Sequence, residues 1–145
     1  MNIGYSIIAA TLAICASGGA SGQALDPLPV YRPMVDDSIV FPAVDRASRK
    51  AGVFVAPRNI AMVTPGMTKQ QIYPLLDVPH FHEGLFGVRR WNYILNFYTG
   101  NGDEFRGCQY QIQFDRNARV ERTYFKEQEC AGLLEQRLAR TPAAG

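Results

Sequence analysis

Residues Arg90 to Phe114 read RWNYILNFYTGNGDEFRGCQYQIQF, and their period decides the fold. Trp91, Tyr93, Leu95 and Phe97 share one side, with Asn92 and Asn96 on the other. Extended backbone sends successive side chains to opposite faces, so a period of two marks a half-buried strand. TGNGDEF follows as a hairpin loop dense in turn formers. Then Cys108, Tyr110, Ile112 and Phe114 alternate with Gln109, Gln111 and Gln113. The apolar set is expected inward and the glutamines outward. DRNA (115–118) turns the chain once more, and RVERTYF (119–125) makes a third strand.

Three antiparallel strands with one aromatic face need a cover. The cover is sought upstream, in MVTPGMTKQQIYPLL, Met62 to Leu76. Thr64-Pro65-Gly66 is a turn, since proline fixes one dihedral and glycine frees the next. Thr68 with Gln71 has capping-box spacing, and Ile72, Leu75 and Leu76 form one helical face. Lys69 and Gln70 are expected to face solvent. Pro74 lacks an amide donor and is expected to shorten or kink the helix. RNIAMV (58–63) supplies an earlier helical turn, and DVPHFHEG (77–84) leaves as a loop. The expected fold is α+β: two short helices on one face of a three-stranded antiparallel sheet, in the order α-α-β-β-β. EQECAGLLEQRLAR (127–140) closes with a short helix, and the domain is expected to span 51–138, with a frayed tail over 139–145.

The first 24 residues carry no charge and contain an apolar run followed by small residues. That pattern is an export signal, too short and wrongly flanked for a spanning helix. Two exits stay open: a lipoprotein box ending before Cys15, or cleavage after Ala24. Residues 25–50, with LDPLPVYRP at their start, are expected to be a flexible proline-rich tether. Export bears on the cysteines. An oxidising compartment favours a bridge between Cys108 and Cys130. A tight turn near Asn117 sets Cys108 opposite residue 125 or 126, and a short fold-back then delivers Cys130.

Catalytic candidates are few. His80, His82 and Glu83 offer too few ligands for a metal site, and no serine or free cysteine has a histidine and acid arranged around it. Asp103 and Glu104 read as solvated loop acids, and the adjacent GNG as a turn. The formal charge is +2 in 145 residues, mixed in sign. That argues against nucleic acid, which calls for a clustered basic face. Arg46, Arg49 and Lys50 are the nearest approach to a basic cluster, read as solvated surface or, more sharply, as a contact for anionic lipid headgroups. No enzyme activity, cofactor or metal is expected. The aromatics exceed what one small core needs, so one or two at a sheet edge, or Phe81 and Phe86 in the loop, are candidates to anchor a protein partner.

VTPGMTKQQIYPLLDVPHF, RRWNYILNFYTG and CQYQIQFDRNARVERTYF together resemble the SmpA/OmlA (BamE-like) family of outer membrane protein assembly lipoproteins. The marks are Gly66, Met67 and Thr68 before a helix, Leu75, Leu76 and Pro79 at its exit, and Trp91 and Tyr93 on the first long strand. They cover roughly Ala51 to Phe125, and Asp77 stands where the family usually has glycine. The resemblance implies a non-enzymatic domain at the periplasmic face of the outer membrane, anchored through a lipidated cysteine, here Cys15. Its implied partners are proteins of the β-barrel assembly machinery, with anionic phospholipid as a second partner class. The alternative is a periplasmic or surface lipoprotein of the same fold that is structural or binds and inhibits an enzyme.

Overall fold

The computed structural model describes residues 30–140. In chain order these form β1 (Met34–Val35), a 3-10 turn (Val44–Arg46), β2 (Val53–Phe54), α1 (Pro57–Ala61), α2 (Lys69–Leu76), β3 (Arg90–Tyr98), β4 (Phe105–Phe114), β5 (Val120–Phe125) and α3 (Gln128–Arg140). The export signal, Cys15, the start of the tether and residues 141–145 lie outside the described residues.

The antiparallel meander β3-β4-β5 stands where the period-two pattern put it, with Trp91 opposite Ile112, Tyr93 opposite Tyr110, and Tyr110 opposite Phe125. The expected three strands are too few, however. The sheet is five-stranded and mixed, in the order β1-β5-β4-β3-β2, because a two-residue parallel strand pairs with each open edge. An edge strand leaves a row of N–H and C=O groups without partners. Val35 and Val53 lie in segments whose extended backbone can meet that need.

Those short strands also correct, over residues 30–50, the reading of that stretch as a flexible tether. From β1 at one edge the chain crosses to β2 at the opposite edge, as a strap over one face of the sheet. Its carbonyls have few regular backbone partners, so the sheet supplies donors. Gln109 Nε2 donates to Pro42 O (2.7 Å), Gln111 Nε2 to Val40 O (3.0 Å), and Asn96 Nδ2 to Ala51 O (2.9 Å). Asn92, Asn96, Gln109 and Gln111 are therefore buried, not turned to solvent as the alternation suggested. A neutral amide can be buried because it satisfies such acceptors without desolvating a charge. Gly52 lets the strap come this close: with φ +68, an added Cβ there would lie 2.7 Å from Asn96 Oδ1 and 2.9 Å from Ile94 O.

The opposite face carries the main core: Trp91, Tyr93, Leu95, Phe97, Cys108, Tyr110, Ile112 and Phe125 under Ile60, Ile72, Leu76, Leu133 and Leu134. Three helices supply this cover: the two expected to do so and the closing helix read over 127–140. α3 is a full 13-residue helix whose Cys130, Leu133 and Leu134 are buried, so residues 139 and 140 belong to it and not to a frayed tail. Cys130 Sγ lies 2.08 Å from Cys108 Sγ, at disulfide distance, fastening α3 to β4. α2 continues through Pro74 to Leu76. The hydrogen bond that proline forgoes would have gone to Gln70, an exposed residue whose carbonyl water can reach. Lys69 does not simply face solvent: its ammonium donates to Val88 O (2.8 Å) and lies over the rings of Trp91 and Phe114.

Candidate functional site

The TPGMT turn is a joint. Gly66 N–H donates to Val120 O (2.7 Å) and Val120 N–H to Met67 O (2.8 Å), which ties the turn to the start of β5. Gln71 Oε1 accepts from the Thr68 amide (2.8 Å), the return arm expected of a capping box. Ile72 and Leu76 are buried, while Leu75 packs at the margin of the core. Gly66, Met67, Thr68, Leu75, Leu76, Trp91 and Tyr93 thus build the scaffold and do not line a surface site. Pro79 stands at the same helix exit, partly buried.

Beyond the joint, the α2–β3 loop rises off the sheet. Asp77 closes the helix at φ 65, ψ −163, a backbone region that glycine enters readily and other residues rarely. The helix exit therefore keeps the shape glycine would take, with aspartate bearing the strain. Its carboxyl is held below the usual carboxylate range by the Val78 N–H and then by Arg49, whose Nη1 lies 3.1 Å away. His80 is fully buried, and Phe81 packs with Ala47 and Ile94 in a small second core between strap and sheet. Phe81 is consequently unavailable as a partner contact, which corrects the expectation from sequence. Leu85 and Phe86 behave in the opposite way: at the loop tip, between Gly84 (φ +99) and Gly87 (φ +61), they are 80% and 93% exposed. Two large apolar side chains held in water at one tip cost free energy that a bound surface would return.

Arg46, Arg49 and Lys50 are all exposed, and they lie on the part of the strap that touches this loop. Ser48 bonds His80 O through both its N–H and its hydroxyl (2.7 and 2.8 Å), and Arg49 pairs with Asp77. Tertiary packing thus ties the segment that carries the basic run to the base of the loop that carries the apolar tip.

A second exposed surface was only loosely foreseen. At the β2 edge, Phe54 stacks on Tyr98 with centroids 4.7 Å apart and meets Phe105 edge-on at 5.1 Å. All three are about half exposed, at 50%, 47% and 51%. Beside them lies a cavity of about 270 Å³ bounded by Phe54, Val55, Ala56, Pro57 and Phe97. Phe54 and Phe105 were missed because nothing local in the sequence shows that one short strand will set its aromatic ring against a distant hairpin. Arg137 Nε donates to Tyr98 O (2.9 Å), bracing the end of β3 from α3.

His80 and His82 part company, one buried in the loop base and one exposed. Among the described residues no three His, Cys, Asp or Glu side chains are grouped to hold a metal ion, and no helix is long and apolar enough to cross a membrane. A family model described as the outer membrane protein assembly factor BamE domain matches residues 52–124, from the glycine before β2 to the penultimate residue of β5. That match spans half of the chain, and the chain belongs to this family of outer membrane protein assembly factors.

Proposed function

We propose that the protein is a non-enzymatic accessory subunit of the β-barrel assembly machinery, held at the periplasmic face of the outer membrane. Family membership supports the assembly role, and the observation that carries the subunit reading is the aromatic trio Phe54, Tyr98 and Phe105 at the sheet edge. Aromatic side chains concentrate in interface hot spots because they bury large rigid surfaces at little conformational cost. Here they sit on strands whose backbone is fixed by the sheet, so a partner would meet a preformed surface. The test is co-purification of the full chain from detergent-solubilised outer membranes. Recovery with the barrel-inserting core subunit is expected, with at least a tenfold loss in a Phe54→Ser, Phe105→Ser double variant that retains its fold. Recovery of wild type without that subunit would refute the reading and favour an envelope-structural or enzyme-binding lipoprotein.

The tip gives a second contact its own observation. Leu85 and Phe86 stand exposed at the tip of a loop whose base is tied to the strap segment that carries the exposed Arg46, Arg49 and Lys50, and an apolar tip combined with cations suits an anionic phospholipid surface. Each cation near such a surface contributes about 1 kcal/mol. Arg46 and Lys50 should contribute most, because Arg49 is already paired with Asp77. Sedimentation with phosphatidylcholine vesicles, with and without phosphatidylglycerol, should show binding only to the anionic set. Binding should weaken with salt and disappear in Phe86→Ser. Equal binding to both vesicle types would remove lipid from the account.

A further inference from the structure

His80 joins three segments of the fold. Its backbone N–H donates to Asn92 O (2.9 Å) in β3, and its carbonyl accepts both bonds from Ser48 in the strap. In the ring, Nδ1 accepts from the Ile94 amide of β3 (3.0 Å), and the imidazole stands edge-on to Tyr93 at 5.3 Å. The side chain is wholly buried.

Hydrogen-bond direction fixes its charge state. A ring nitrogen that accepts from an N–H carries no proton, so the imidazole is neutral with its hydrogen on Nε2. Nε2 has no protein acceptor among the described residues. Adding a proton from solvent would put an N–H on Nδ1, facing the Ile94 N–H, donor against donor. The Ile94 bond would then break, and the cation would gain no new acceptor at Nε2 in exchange. The charged and titratable groups around the ring do not reverse this. Arg49 on the strap opposes a positive charge, Asp77 at the end of α2 favours one, and Tyr93 meets the ring from β3. Of the loop neighbours, His82 is exposed and the Glu83 carboxylate is occupied by the Asn92 amide.

We propose that His80 is a pH-sensitive latch: neutral, it locks the strap and the α2–β3 loop onto β3; protonated, it releases them. Release would uncover the small core of Ala47, Phe81 and Ile94 while the disulfide-linked main core stays closed. Burial, the largest influence, holds the imidazole below its ordinary range. For a base depressed in the folded state, the open form binds more protons than the closed form. The latch is therefore fully set above the ordinary histidine value of about 6.5 and loosens as pH falls toward the folded value. Over that window the opening equilibrium rises by up to about tenfold per pH unit.

The experiment is amide hydrogen exchange from pH 7.5 to 5, expressed as protection factors, with the His80 ring followed by nitrogen NMR. Protection at Ile94 and Ser48 should fall as pH drops below about 6.5, while Tyr124, whose amide the register sets against Gln111 in the β4–β5 ladder, stays protected. His80→Asn places an acceptor oxygen where Nδ1 stands but does not titrate, so protection at Ile94 should become independent of pH. If that variant does not fold, the wild-type titration decides alone. Flat wild-type protection across the range, or a ring carrying its proton on Nδ1 at neutral pH, would overturn the latch.

Discussion

Gln111→Glu replaces one NH2 with oxygen and leaves the shape of the side chain unchanged, so it isolates the role of the amide in holding the strap. Gln111 Nε2 donates to Val40 O (3.0 Å) and to Asn92 Oδ1 (2.9 Å), while its Oε1 accepts from Gln113 (2.9 Å). The substitution removes both donors and sets a carboxylate oxygen against two acceptors. A stranded buried acceptor costs about 1–3 kcal/mol. Asn92 is buried and should incur the full amount, whereas Val40 is exposed and water can replace part of its lost bond. The sum is about 2–4 kcal/mol at pH 7. Burial and the facing oxygens should raise the new carboxyl's folded pKa above its unfolded value of about 4.3. The native state then binds the extra proton first, so the penalty shrinks as pH falls through the folded pKa, where the protonated acid regains one donor. Urea unfolding of variant and wild type across pH 4 to 7.5 measures this difference, and subtraction removes the wild type's own pH dependence, including that of His80. A penalty below about 0.5 kcal/mol at pH 7, the range of an ordinary surface substitution, would show that the strap does not rest on the amides. A penalty that grows on acidification would refute the electrostatic reasoning.

Three further outcomes test other parts of the fold. Asp77→Gly should stabilise by about 0.5–1 kcal/mol in chemical denaturation: about 1–3 of backbone strain is relieved, offset by the greater freedom of unfolded glycine and loss of an exposed ion pair. Gly52→Ala and Gly66→Ala both place alanine at positive φ, but only the first meets neighbours within 3 Å; its excess loss in unfolding midpoint should correspond to at least about 1–3 kcal/mol, and equal losses would argue against the close approach. Intact mass without reductant should show the exported protein lighter by two hydrogens than its reduced form. Cys130→Ser should then lower stability by about 2–4 kcal/mol for a loop of this length, the two cysteines lying 22 residues apart.

The meander and its aromatic face were legible because strand period is a local property: each residue from Trp91 to Phe97 needs only its neighbours to declare a side. The same holds for the Gly66–Thr68 joint, where turn chemistry and cap spacing act within a few residues. Cys108 and Cys130 were within reach too, since one tight turn fixes the register that brings them near. Reading failed where the decisive partner was distant in sequence. Alternation placed Gln109 and Gln111 on the second face but could not show that the strap would cover it. Phe81 and Phe86 look equivalent in the chain, yet one fills the gap under Ala47 and the other stands in water.

The sequence by itself therefore determined which residues form the long strands, which side of the sheet is aromatic, and where the cover begins, because dihedral preference and periodicity are settled over a few residues. Tertiary structure alone decided which polar residues are buried, which aromatics remain exposed, and that His80 acts as a hydrogen-bond acceptor at the junction of strap, loop and sheet. Those outcomes depend on what lies opposite each side chain, and here the opposing atoms come from segments tens of residues away.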